Sequence, residues 1–268
     1  MRYLVVRTEN LTKFYGRTRG IEGLTIEVEP GEVYGLLGPQ KSGKTTTMRL
    51  LMDQARPSSG QALILGMDVH RQRLQVAPRV GYLPAEPSFK HASSINKYLD
   101  TAVRTPETRA NARTLAERLG LNLERPTAWL NASERRRLGL VLAMMHRPDL
   151  LILDEPTRDL EPDAQDTLYR LVSETRAEGR SVFFGSRSLC EMERACDRAA
   201  VMHEGRLLAV ERGVQLRARA LRKIEMRFAG PVPAESFSRL PNLENVCLED
   251  NKLRCILHGD PDPLLKLA

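Results

Sequence analysis

Residues 32–53, EVYGLLGPQKSGKTTTMRLLMD, constrain the fold of this chain more than any other segment. A buried-strand pattern (EVYGLL, 32–37) runs through a glycine loop into a helical pattern (TTTMRLLMD) that stops before the turn signal RPSSG. Strand, glycine loop and helix in that order predict an α/β fold. Gly38, Pro39, Gln40, Lys41, Ser42, Gly43, Lys44 and Thr45 match G-x-x-x-x-G-K-[ST], with Thr46 continuing the helix. Consecutive backbone N–H groups in such a loop form an anion nest at a helix N-terminus. Lys44 is expected to reach the β- and γ-phosphates of a nucleotide, and the Thr45 hydroxyl to ligate Mg²⁺. Gly43 is expected to let the backbone approach phosphate without a Cβ in the way. Chance supplies such a match in roughly 0.004 chains of this composition, so a plain glycine turn is a poor explanation.

Leu150–Glu155 (LLILDE) supply a second half to this chemistry. A fully apolar strand ends on two adjacent acids, and ligands of α/β sheets bind at the carboxyl ends of strands. Asp154 is the candidate Mg²⁺ ligand. Glu155 is the candidate group that polarises an attacking water. Between the two halves, about residues 90–148, the pattern turns helical, with TRANARTLAERLG and ERRRLGLVLAMMH. AQDTLYRLVSETRAEG reads as an amphipathic helix, SVFFGS as a buried strand, and RAAVMHEGRLLAVERG as a hairpin turning at Glu204 and Gly205. Composition then shifts into LRARALRKIEMRF, which places a domain boundary near residue 215. Residues 1–214 form the first expected domain. Residues 215–268, with strand patterns KIEMRF, NVCLE and KLRCIL and a weak terminal helix DPLLKLA, suffice for a small αβ domain.

Composition narrows the function classes. The net charge of +7 is spread along the chain, and aromatic content is 5%. Phosphate-tracking proteins cluster Lys and Arg and interleave aromatics, so nucleic acid is not the expected partner. No stretch approaches 18 uninterrupted apolar residues, and the apolar run of MRYLVVRTEN is too short for a signal-peptide core. The expectation is a chain that neither spans a membrane nor is exported. Its four cysteines form no C-x-x-C pair. Free thiols in a reducing compartment are the default.

LTKFYG, PGEVYGLLGPQKSGKTTT, VGYLPAEP, HRPDLLILDEPT and CDRAAVMHEGRLL occur in the order found in ATP-binding cassette (ABC) ATPases, and the resemblance covers about residues 8–210. The chain looks most like the ATPase subunit of bacterial exporters whose membrane subunit is a separate polypeptide. The resemblance implies a P-loop NTPase of ABC type with a helical subdomain, followed by a small C-terminal αβ domain that stops early. It implies ATP and Mg²⁺ as cofactors, a membrane-spanning permease and a second ABC ATPase subunit as partners, and a cytoplasmic place on the inner face of the membrane. It also implies that Tyr15 stacks on adenine, the alternative being a tyrosine that caps a strand end.

Departures from the family pattern are as informative as the matches. The signature normally reading Leu-Ser-Gly-Gly-Gln aligns with Leu130, Asn131, Ala132, Ser133 and Glu134. Both glycines gain a Cβ, and Glu134 puts negative charge at a helix N-terminus meant for an anion. Asn131 and Glu134 read instead as a capping box. The glutamine expected after VGYLP is Ala85, with Glu86 its nearest substitute; the switch histidine is Arg187, and the aspartate after the acidic strand is Glu161. Arg187 is expected to donate to a γ-phosphate oxygen and to pair with Glu155, the alternative being a side chain pointing to solvent. The reading is an ATP-hydrolysing subunit of an exporter, with a heterodimer favoured over a homodimer. A weakly hydrolysing regulatory subunit and a soluble ABC protein acting on nucleic acid or ribosomes are the alternatives.

Overall fold

A computed structural model describes residues 4–103, 105–212, 221–228, 243–249 and 251–258. The chain divides into two compact units, Met1–Val210 and Glu211–Ala268, a few residues before the expected 214/215 boundary; residues 213–220 lie outside the described residues.

In chain order, the elements of the first unit begin with β1 (Val6–Tyr15), β2 (Thr18–Val28), β3 (Val33–Leu37), α1 (Lys44–Leu51), β4 (Ser59–Ile64), β5 (Met67–Asp68) and α2 (Arg73–Val76). They continue with β6 (Val80–Leu83), α3 (Ile95–Ala102), α4 (Pro106–Arg118), α5 (Ala132–Met144), β7 (Leu150–Asp154) and α6 (Pro162–Ala177). β8 (Ser181–Ser186), α7 (Leu189–Ala195), β9 (Arg198–His203) and β10 (Arg206–Arg212) follow.

A six-stranded sheet runs β10-β9-β3-β8-β7-β6, with β3 parallel to both β8 and β9, and β7 parallel to both β6 and β8. Every residue of β7 and of β8 is buried, as the continuous apolar runs LLIL and VFF require of strands covered on both faces. The register sets Asp154 opposite Gly185 and Leu37 opposite Ser186, so three strand ends open on one edge. A second sheet, β2-β1-β4-β5, is antiparallel. In β2, Leu24, Ile26 and Val28 are buried while Thr25 and Glu27 are exposed, the period of two that a one-sided sheet demands. Met48, Leu50 and Leu51 of α1 join Leu11, Ile26, Leu36 and Phe183 in a core shared by both sheets. That packing fixes the helix whose first turn carries Lys44 and Thr45.

The helical segment comprises α3, α4 and α5. Ser94 and Thr105 cap α3 and α4 by accepting from the N–H groups of Lys97 and Thr108, and Pro106 occupies the first turn of α4. The α5 capping box forms as the sequence predicts, with Asn131 accepting from Glu134 N–H and Glu134 accepting from Asn131 N–H.

The second unit contains β11 (Leu221–Arg227), β12 (Leu243–Glu249) and β13 (Lys252–His258) in an antiparallel sheet of order β11-β13-β12. Ile224 pairs with Cys255 and Met226 with Leu253, while Glu225 faces Arg254 at 3.0 Å. The terminal helix expected over 262–268 lies outside the described residues.

Candidate functional site

The glycine loop leaves β3 where Gly38 N–H donates to the carbonyl of Ser186 at the end of β8. Pro39, Gln40 and Lys41 form an exposed lip, and Ser42, Gly43 and Lys44 are buried beneath it. Gly43 takes φ +106°, and a Cβ there would lie 2.6 Å from Ile21 Cγ2 and 2.8 Å from the Gly20 carbonyl. Backbone conformation and packing against β2 therefore require glycine here as well. Gly38 is equally confined, since its Cβ would meet the Met202 carbonyl at 2.3 Å. Lys44 folds back into the loop, its Nζ donating to the carbonyls of Gly38 (2.7 Å) and Pro39 (3.1 Å). Burial lowers the Lys44 pKa, and Glu155 opposes that shift.

Asp154 ends β7 with no solvent exposure, and neither carboxylate oxygen has a hydrogen-bond partner of full geometry. Burial pushes its pKa up, and the neighbouring Thr45 hydroxyl pulls the other way. A buried carboxylate with both oxygens unpaired is costly in a folded protein and is the donor chemistry of a hard cation. Asp154 with the Thr45 hydroxyl beside it fits Mg²⁺ on this count. The Ser42 hydroxyl, also buried inside the loop, has no partner either.

Glu155 follows with φ +49°, a left-handed conformation uncommon outside glycine, and its N–H donates to Gly185 O at 2.9 Å. Strain of this kind concentrates at functional positions. Its carboxylate lies between two cations, with Oε1 3.4 Å from Lys44 Nζ and Oε2 3.5 Å from Arg187 Nε. Arg187 is 50% exposed yet turned to Glu155, so the pairing expected from the sequence is present.

Tyr15 closes β1 with 45% of its surface exposed and Lys13 Nζ 5.0 Å from its ring centroid. A Cβ built on Gly20 would touch both the Tyr15 ring and the Thr46 methyl at 3.0 Å, which puts the tyrosine close to the first turn of α1. Ala85 carries no polar group into the site. Glu86, the nearest substitute, is exposed, with Arg158 Nη1 3.9 Å from its Oε1.

The α5 N-terminus is occupied by its own side chains. Besides the capping box, Glu134 pairs with Arg125 at 3.3 Å, and Ser133 Oγ donates to Glu161 at 2.7 Å. Arg137 also binds Glu161, and the Ser133 hydroxyl, with Arg137 assisting, holds the Glu161 pKa down at about 2. Arg136, which the sequence showed only as the middle of a basic run, is 2% exposed. The signal for it was positional: it stands one turn after buried Ser133 and one turn before buried Leu140, on the face where helical spacing calls for an apolar residue.

A family profile described as ABC transporter matches residues 21–158, half of the chain, including the glycine loop and the Asp154–Glu155 strand end. The chain belongs to the ABC transporter family. It is an ATP-binding ATPase subunit of that family. The bacitracin transport ATP-binding protein BcrA of Bacillus licheniformis is 32% identical over 209 residues, 76% of this chain and 68% of that protein. The protein of the same name from Enterococcus faecalis is 30% identical over 258 residues, 93% of this chain and 83% of its own length. A Nod factor export ATP-binding protein I of Paraburkholderia xenovorans is 32% identical over 213 residues, 76% and 69% of the two chains. In fold, this ABC subunit is similar to a solved ATP-binding subunit of an ABC transporter, with TM-score 0.73 and 24% identity over 78% of this chain and 90% of that one. It is also similar to a dimeric ATP-binding cassette in a post-hydrolysis state with ADP and Pi, with TM-score 0.70 and 16% identity over 77% and 98%.

Proposed function

We propose that this subunit binds Mg-ATP in the loop Gly38–Thr46, hydrolyses it with Glu155, and powers an exporter whose membrane-spanning permease is a separate chain. The observation that carries the reading is the Glu155 carboxylate set against Lys44 of the loop, beside the unpaired oxygens of Asp154. Lys44 turns from its loop carbonyls to the β- and γ-phosphates, and Tyr15 stacks on the adenine. Thr45 and Asp154 hold Mg²⁺, which when bound neutralises charge on the phosphate oxygens. Glu155 orients the attacking water and accepts its proton. Arg187 donates to the γ-phosphate and, in the resting chain, competes with water for Glu155.

The partner ATPase is a different cassette with a complete signature. At a subunit interface, the α5 N-terminus is where a signature would donate to the other subunit's γ-phosphate. Here the amides of Asn131 and Glu134 are spent on each other's side chains, and a carboxylate stands where an anion would bind. A homodimer would meet this defect at both sites, and a heterodimer at one. Among the described residues no helix is long and apolar enough to cross a membrane. The similarity to transport ATP-binding proteins supports a subunit that sits with its permease on the inner face of the membrane, its cassette in residues 1–214 and a small αβ domain in 215–268. Export is supported by the similarity to a Nod factor export ATP-binding protein, and the resemblance to the Enterococcus faecalis bacitracin transport protein, along 93% of the chain, extends into the second unit.

Equilibrium titration with a fluorescent ATP analogue tests the site assignment. Lys44→Ala should weaken binding tenfold or more, since a hydrogen bond to a charged group contributes about 1.5–3 kcal/mol. Unchanged affinity would mean that the loop is not the nucleotide site.

A further inference from the structure

Arg136 has the largest fully buried side chain in the described residues, and each of its three nitrogens donates to a main-chain carbonyl of one of two loops. Nη1 donates to Pro84 O at 3.1 Å, Nη2 to Ala85 O at 2.7 Å, and Nε to Arg158 O at 3.2 Å, with Asp159 Oδ2 3.7 Å away. The first two carbonyls lie just beyond β6, where Pro84 and Ala85 offer no polar side chain. The third lies in the turn that Glu155 opens, because Arg158 N–H donates to the Glu155 carbonyl at 3.2 Å. One side chain on α5 thus ties the 84–85 segment to the turn that sets the left-handed backbone of Glu155. A second tie, Ser133 and Arg137 to Glu161, fastens α5 to the far end of the same turn.

A buried guanidinium is retained at a cost unless it is hydrogen-bonded, and its rigid planar fork fixes the direction of each donor where the rotatable donors of an ammonium do not. We propose that Arg136 is a positioning residue that couples α5 and the 84–85 segment to the placement of Glu155, taking over a link that a polar side chain at position 85 would otherwise make. Nucleotide binding at the Glu155 side is then felt at the α5 N-terminus, and displacement of α5 by a partner is felt at Glu155. The inference rests on the Mg-ATP site proposed above.

Trp129, the single tryptophan of the chain, is 72% exposed and precedes α5 by three residues, so its emission reads the state of that helix end. The full chain is titrated with Mg-ATP while Trp129 emission is followed, and affinity is measured separately with a fluorescent ATP analogue. In the parent chain saturating Mg-ATP should change the emission. In Arg136→Lys and Arg136→Met the amplitude should fall by about threefold or more with affinity kept within about threefold, the size of effect expected along a coupled network. A folded variant with full amplitude, or a parent chain that binds Mg-ATP with unchanged Trp129 emission, overturns the coupling. Absence of nucleotide binding by the parent chain overturns instead the Mg-ATP site. Should neither variant fold, hydrogen exchange on the parent decides: Mg-ATP must protect 132–138 and 155–160 together, and protection of one alone refutes the link.

Discussion

Replacing Arg187 measures how strongly the Glu155 carboxylate is restrained. Its Nε lies 3.5 Å from Glu155 Oε2, a separation worth about 5 kcal/mol between unit charges at an effective dielectric of 20. Arg187 is half exposed, so solvent and salt reduce the pairing to about 1 kcal/mol or less. Relieving it should raise turnover by no more than about fivefold. Arg187→His, which keeps a donor for the γ-phosphate, should show that rise with ATP affinity within a few-fold of the parent. Arg187→Ala should instead weaken ATP binding about tenfold, losing a charge-assisted bond of about 1.5–3 kcal/mol, without a gain in turnover. Titration with a fluorescent ATP analogue and steady-state phosphate release, with permease and partner ATPase present, separate the two effects. If both variants match the parent, Arg187 neither clamps phosphate nor restrains Glu155.

Other consequences are equally direct. Tyr15→Phe should bind ATP as the parent does, whereas Tyr15→Ala should lose about 1–3 kcal/mol of stacking in the same titration. Burial raises the Asp154 pKa, so the folded chain binds protons more tightly there than the unfolded chain, and stability falls as pH rises from the unfolded value of 3.8 through the raised one. Above that window Asp154→Asn should raise the ligand-free Tm, by about 2–4 °C per kcal/mol for a chain of this size, and lose the extra stabilisation that Mg²⁺ adds to ATP in thermal melts. Rebuilding the signature with Asn131→Ser, Ala132→Gly, Ser133→Gly and Glu134→Gln should raise ATPase activity of the pure chain tenfold or more, since one preorganised donor to a developing charge is worth about 10²–10³ in rate.

The parallel sheet was legible because its strands are short, continuous apolar runs: LLIL and SVFFGS appear as β7 and β8 within a residue of their expected ends. The loop, the acidic strand end and the α5 capping box were legible because each joins a fixed spacing to a specific hydrogen-bond demand. The Arg187–Glu155 pair was reached by asking what a cation does where a histidine is expected, and the 3.5 Å contact answers it. Long-range partners were not legible. Arg136 stands in the sequence between Arg135 and Arg137 with nothing in its residue type to set it apart, and the carbonyls that hold it come from segments 51 and 22 residues or so away. The packing demand on Gly43 was hidden for the same cause, since Ile21 and Gly20 meet it only after β2 has packed. The exposure of Glu86 was likewise not legible, since it depends on the packing of the segment that follows β6.

The central claim is a cassette that holds Mg-ATP well and leaves hydrolysis waiting on a partner's signature. The measurement that tests it most directly compares ATP affinity with steady-state ATP turnover of the pure full-length chain. Saturable, Lys44-dependent binding with turnover far below the roughly 10 s⁻¹ typical of enzymes is the predicted result. Brisk ATPase activity from the chain alone, abolished by Glu155→Gln, would contradict it.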